Sequence, residues 1–76
     1  MSIEIRIPRL GTTMEEGILA EWLAADGIYV KEGTPLYSLE TDKAAEEIAS
    51  PAGGVLRIIG RAGESYPVGA LVGVLD

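Results

Sequence analysis

The strongest constraint on this chain is that it repeats itself. Gly27 and Gly33 are separated by five residues, as are Gly63 and Gly69, and the two pairs lie 36 residues apart. After the second glycine of each pair comes a short apolar segment, ending in Leu39-Glu40 and in Leu75-Asp76, again 36 apart. Gly17-Ile18-Leu19 and Gly54-Val55-Leu56 each open a further segment. A unit this short cannot cover its own apolar side, so the repeat predicts two similar halves packed face to face. Together they form one small domain over residues 1–76, with a thin margin of stability.

The local pattern is that of short strands. Ile3, Ile5 and Ile7 alternate with Glu4 and Arg6, a half-buried strand that stops at Pro8. Further apolar pieces cover residues 18–25, 36–41, 45–50, 55–59 and 71–75, punctuated by glycine and proline as an all-β domain requires. Two segments pull the other way. In 18–25, Ile18, Leu19, Trp22 and Leu23 also fit one face of a helix. Residues 41–49 look more helical still, with Thr41 as an N-cap and acids in the first turns. The repeat favours strand: with the first half complete at Glu40, the next residues must turn into the second half. The helix remains the rival reading. Trp22, Ile5, Leu19, Leu23, Leu39, Val55, Ile58, Leu71 and Val74 form the expected core, and Glu46 and Glu47 should point to opposite faces of their strand, one of them inward or at an edge.

Composition narrows the chemistry. Cysteine and histidine are both absent, which removes a thiol nucleophile, an imidazole base and a Cys/His zinc site. No disulfide supports the fold, and the lack of cysteine fits a reducing compartment. Twelve acids against six bases give a net charge of −6, which argues against nucleic-acid and anionic-membrane partners. No segment reads as a signal peptide or approaches the roughly 18 apolar residues of a membrane span. No phosphate-binding glycine loop, metal cluster or paired-carboxylate site is evident. A catalytic centre is not expected.

The residue that stands out is Lys43, in Glu40-Thr41-Asp42-Lys43-Ala44, at the turn between the two halves. A lysine in a turn beside acids is ordinarily a solvated residue and nothing more. Held at the tip of a tight hairpin, however, its amine is reachable from most directions on a backbone fixed by two strands. That suits an enzyme that must read the fold and then acylate one particular amine.

Four stretches together resemble a known family. They are Ile7-Pro8-x-Leu10-Gly11-x-x-Met14-x-Glu16-Gly17, Gly27-x-x-Val30-x-x-Gly33-x-x-Leu36, Glu40-Thr41-Asp42-Lys43-Ala44 and Ser50-Pro51-x-x-Gly54. In this joint spacing the chain is similar, over essentially its whole length, to the lipoyl domains of the dihydrolipoyl acyltransferases of 2-oxo acid dehydrogenase complexes. The resemblance implies a flattened barrel-sandwich of two four-stranded antiparallel sheets related by a pseudo-twofold. It implies that Lys43 stands on an exposed hairpin turn and carries lipoic acid in amide linkage. Acylation removes one positive charge and would take the net charge from −6 to −7. The cofactor would then supply the chemistry and the protein its presentation. In such families the arm is reductively acylated by a thiamine-dependent 2-oxo acid decarboxylase, serves the acyltransferase catalytic domain, and is reoxidised by dihydrolipoyl dehydrogenase. Tethering raises its local concentration at each active site.

The resemblance also assigns neighbours. Asp42 and Ala44 flank the lysine and should discriminate between modifying enzymes; Asp42 is equally a turn-former. Glu40 matches an acid read by the lipoate ligase or lipoyl transferase. Gly33 and Gly54 match family glycines, explained as well by a need for positive φ. The loop Leu10, Gly11, Thr12, Thr13, Met14, Glu15 and Glu16 should lie near the lysine turn and help the decarboxylase recognise its carrier, although Leu10 and Met14 could instead anchor it to the core. Glu15, Glu16, Glu46 and Glu47 make an acidic surface that is either a docking face or simply solvated. A biotinyl carrier is the nearest alternative, disfavoured because neither neighbour of Lys43 is methionine. An aminomethyl carrier of the glycine-cleavage type is disfavoured by length, and an unmodified adaptor module is the third option. The expected setting is a monomeric domain in bacterial or archaeal cytoplasm or the mitochondrial matrix, with no transit peptide before the first strand and a linker after the last.

Overall fold

The computed structural model describes residues 2–76. Eight strands run in order: β1 (Ile3–Arg6), β2 (Glu16–Trp22), β3 (Tyr29–Val30), β4 (Pro35–Glu40), β5 (Ala45–Ala49), β6 (Gly54–Ile58), β7 (Glu64–Pro67) and β8 (Leu71–Leu75). There is no helix among the described residues. One sheet has the order β1-β8-β6-β3 and the other β5-β4-β2-β7, every pairing antiparallel. Replacing each strand by its counterpart in the other half converts one order into the other, which is the expected pseudo-twofold.

The repeated glycines are what the symmetry is built on. Gly27, Gly33, Gly63 and Gly69 are the residues with positive φ, between 86° and 89°, among those described. Gly33 is third in the turn that Thr34 N–H closes onto the Lys31 carbonyl at 3.0 Å, and Gly69 is third in the turn that Ala70 closes onto Pro67 at 3.0 Å. A left-handed residue at that place is what a type II turn requires, and glycine adopts it without strain. The halves are also stitched reciprocally: Gly27 N–H donates to the Leu56 carbonyl and Gly63 N–H to that of Leu19, both at 2.7 Å. Gly54 departs from the expectation. Its φ is not positive, and its need for glycine is steric, since a Cβ there would stand 3.0 Å from the Asp76 carbonyl oxygen.

Both helical readings fail. Residues 16–22 and 45–49 are strands because each finds a ladder, β2 between β4 and β7 and β5 along β4. Tertiary pairing outweighs the few tenths of a kcal/mol per residue by which alanine and glutamate favour helix. Strands β3 and β7 lie outside the apolar pieces read from the sequence. The first has two residues, too few to show a period, and the second, Glu-Ser-Tyr-Pro, has no apolar alternation. Glu46 and Glu47 are both exposed, because β5 is the edge of its sheet.

The core is Ile5, Ile7, Leu19, Val30, Leu36, Tyr37, Leu39, Leu56, Val72 and Leu75, with Trp22 and Ile58 packed against it. Each fully buried side chain of this kind contributes roughly 1.5–3 kcal/mol. Leu23 is exposed, and Val55, Leu71 and Val74 are only half-buried, contrary to expectation. At Val55 in β6 and along β8 the inward residue is one step from the expected one, whereas Ile58 packs inward as expected: Leu56 faces Leu75 across the pair, while Val74 sits opposite Arg57 on the outer face. A charged Arg57 cannot point inward, and that fixes the parity of the strand.

Candidate functional site

The site is the β4–β5 connection and what lies beside it. The ladder closes at Glu40 opposite Ala45, leaving residues 41–44 to cross over. Thr41 N–H donates to the Ala44 carbonyl at 2.8 Å. The Thr41 hydroxyl then takes the part of a backbone carbonyl: Oγ1 accepts from the amides of Lys43 at 3.3 Å and Ala44 at 3.2 Å, and donates to the Ala44 carbonyl at 3.2 Å. Acceptance from the second and third following amides is N-cap chemistry. The capping signal in the sequence is therefore chemically sound, but it precedes a strand instead of a helix.

Lys43 is exposed, as are Asp42 and Ala44. Among the described residues the Lys43 amine makes no ion pair or hydrogen bond, and neither does the Asp42 carboxylate. So Thr41, and not Asp42, builds the turn. The lysine offers a free amine on a fixed backbone.

The loop of residues 10–15 stands alongside. Arg9 holds it, its guanidinium donating to the Met14 carbonyl at 2.7 Å. Met14 N–H closes a turn onto the Gly11 carbonyl at 3.2 Å, and Val68 N–H reaches the Glu15 carbonyl at 2.9 Å. The Met14 side chain packs against the core and lies over Gly17, where a Cβ would come within 3.1 Å of its Cε. Met14 is thus the anchor, whereas Leu10 is 37% exposed. Arg9 is the structural residue that sequence reasoning passed over, while Thr41, marked there only as a helix N-cap, caps a turn instead.

An open groove of about 880 Å³ brings the two elements together, with residues 10–18 on one side and residues 40–44 and Glu46 on the other. Every expected site residue lines it: Leu10, Gly11, Thr12, Thr13, Met14, Glu15 and Glu16, with Glu40, Asp42, Lys43 and Ala44. Glu47 does not. Five carboxylates, from Glu15, Glu16, Glu40, Asp42 and Glu46, face this space with Lys43 as the one cation in its lining. Nothing here resembles catalytic machinery, and no group of acidic side chains could hold a metal ion among the described residues. The arrangement is suited to display.

Comparison with known proteins agrees with that reading. Residues 3–75 match the biotin/lipoyl family model, described as biotin-requiring enzyme. The chain is 47% identical over 77 residues to the dihydrolipoyllysine-residue acetyltransferase of the pyruvate dehydrogenase complex of Rhizobium meliloti, covering 99% of this chain and 17% of that protein. It is 40% identical over 74 residues to the corresponding component of the acetoin cleaving system of Cupriavidus necator, covering 96% and 20%. The chain thus spans about a fifth of the length of these relatives. The solution structure of the lipoyl domain of the 2-oxoglutarate dehydrogenase complex from Azotobacter vinelandii superposes with a TM-score of 0.79 at 31% identity, over 97% of this chain and 95% of that one. The chain belongs to the biotin/lipoyl attachment family and, within it, is a lipoyl domain, a carrier module without catalytic machinery of its own.

Proposed function

We propose that Lys43 is the attachment point of lipoic acid and that the chain serves as the swinging-arm carrier of a 2-oxo acid dehydrogenase complex. The observation that carries this reading is the exposed Lys43 with its unpartnered amine, on a turn fixed by Thr41 and two strands. The residues fit the group: the amine is accessible for amide formation, and the adjoining groove leaves room for an extended chain. Bound there, lipoic acid supplies a dithiolane that takes up an acyl group together with two electrons. The protein's own contribution is presentation. β4 and β5 fix the root of the arm, and the loop held by Arg9 stands beside it as a surface that a decarboxylase reads.

Acylation removes the one cation from the groove lining and leaves five carboxylates. Partners are then enzymes that present basic residues around their active-site entrances: a thiamine-dependent decarboxylase, the acyltransferase domain, dihydrolipoyl dehydrogenase and, earlier, a lipoate ligase or lipoyl transferase. Such attraction speeds encounter and weakens with salt.

Intact-mass measurement after incubation with lipoate ligase, ATP and lipoate tests the assignment. The expected result is a gain of one lipoyl unit, lost in Lys43→Arg, with Lys31 unmodified as the internal control. A gain that survives Lys43→Arg, or uptake of labelled biotin from a biotin ligase in its place, overturns it.

A further inference from the structure

The connection between β4 and β5 has four residues. Two-residue hairpin loops place glycine or asparagine in left-handed conformations to match the strand twist, and longer loops are freer of that need. Residues 41–44 contain no glycine, and no non-glycine residue among those described has positive φ. The turn is closed by a side chain. Thr41 Oγ1 takes the amides of Lys43 and Ala44 and gives its proton to the Ala44 carbonyl, three bonds of 3.2–3.3 Å centred on one oxygen. β-Branching at Thr41 restricts χ1 and holds that oxygen over the turn.

The burial of these groups separates two roles. Lys43 and Ala44 are exposed, so water can take their amides if the hydroxyl is removed, and the folded domain loses little. What is lost is the fixed direction of the Lys43 backbone, and hence of its amine. An acylating enzyme would then have to order the turn itself on binding, at an entropic cost.

We propose that Thr41 is the positioning residue for acylation of Lys43: its hydroxyl pre-forms the turn that the lipoylating enzyme recognises. The proposal rests on the reading of Lys43 as the lipoyl acceptor. It assigns to one oxygen a role separate from the contacts that Glu40, Asp42 and Ala44 would make with that enzyme.

The test is steady-state lipoylation by lipoate ligase of the wild-type chain, Thr41→Val and Thr41→Ser, with intact mass as the readout. Valine keeps the shape and loses the hydroxyl; serine keeps the hydroxyl. Capping bonds of this kind correspond to about a three- to thirtyfold effect. The expected result is a fall of that size in kcat/KM for Thr41→Val, carried mainly by KM, with Thr41→Ser within about twofold of wild type. Circular dichroism should be the same for all three, and Tm of Thr41→Val should fall by no more than the several degrees that one such bond is worth, leaving the domain folded at the assay temperature. Thr41→Ala serves as a second hydroxyl-free protein if the valine variant folds poorly. Valine acylated like wild type, or valine and serine impaired alike, overturns the role of the hydroxyl while Lys43 remains the acceptor. A wild-type chain that gains no mass at Lys43 overturns the functional reading, and this inference with it.

Discussion

The indole of Trp22 packs against Gly73: a Cβ on Gly73 would stand in ordinary contact, 3.5 Å from Trp22 Cη2. Tyr37 lies 36 residues before Gly73, at the matching position of the other half. There a full aromatic ring is buried, tilted 59° to Trp22 with 5.2 Å between ring centroids. The two halves share a backbone but divide their core volume unequally. The Trp22 Nε1–H leaves the core by donating to the Gly60 carbonyl at 3.0 Å.

Gly73→Ala is therefore expected to destabilise although its backbone conformation suits alanine. The added carbon would lie 3.0 Å from the Arg57 carbonyl oxygen, a backbone atom of the neighbouring strand. Overpacking of this kind costs about 1–3 kcal/mol. Urea denaturation would read it, and an unchanged midpoint would contradict it.

Gly33→Ala and Gly69→Ala should cost a similar amount for a different reason. A Cβ at either position meets nothing within 4 Å, but φ is +89° at both. The penalty, about 1–2 kcal/mol, is purely conformational. Asparagine tolerates that region better than alanine, so Gly69→Asn should recover part of the loss while Gly73→Asn recovers none. Thermal melts of these variants separate strain from crowding.

The Tyr37 hydroxyl is buried without a hydrogen-bond partner among the described residues, and burial pushes its pKa up to about 12. The unfolded phenol ionises near 10 and the folded one two units higher. Between those values the unfolded chain binds fewer protons, so stability falls as pH rises, by up to about 3 kcal/mol in all. Tyr37→Phe removes the unpaired hydroxyl and should be neutral or stabilising by about 1 kcal/mol at pH 7. It should also flatten the decline above about pH 10. Denaturant midpoints at neutral pH and at two values on either side of about pH 11 test both expectations.

Arg9→Ala should release the loop without unfolding the domain. Its bond to the Met14 carbonyl is a charge-assisted one on the surface, worth about 1 kcal/mol or less in stability. Amide exchange across residues 10–14 is expected to quicken several-fold while β4 and β5 stay protected. Equal exchange in both proteins would show that Met14 packing alone suffices.

The glycine repeat made the architecture legible. It marked the four glycines that prove left-handed, although positive φ was expected only of Gly33 and, wrongly, of Gly54, and it marked the place where the first half ends, and through it the turn that carries Lys43. Carrying the same offset into the core would have paired Leu39 with Leu75 and Leu36 with Val72, the residues that are in fact buried. Hydrophobicity alone chose Val74 and Leu71 instead, because an outward valine beside Arg57 looks the same in sequence as an inward one. Strands β3 and β7 escaped notice because pairing partners, not their own composition, make them strands. The site was legible as a set of residues that now share one groove. What held the turn was hidden, because a threonine capping two amides reads the same whether a helix or a strand comes next.

The pseudo-twofold has a consequence for protein engineering. The pair Glu40 and Ala45, which the lysine turn bridges, corresponds in the other sheet to Asp76 and Ser2, one step beyond the Leu75–Ile3 pair. A Thr-Asp-Lys-Ala segment splicing Asp76 to Ser2 would meet the same strand spacing that residues 41–44 span. A circular permutant built this way and reopened between Arg61 and Ala62 would display two exposed turn lysines, one on each sheet.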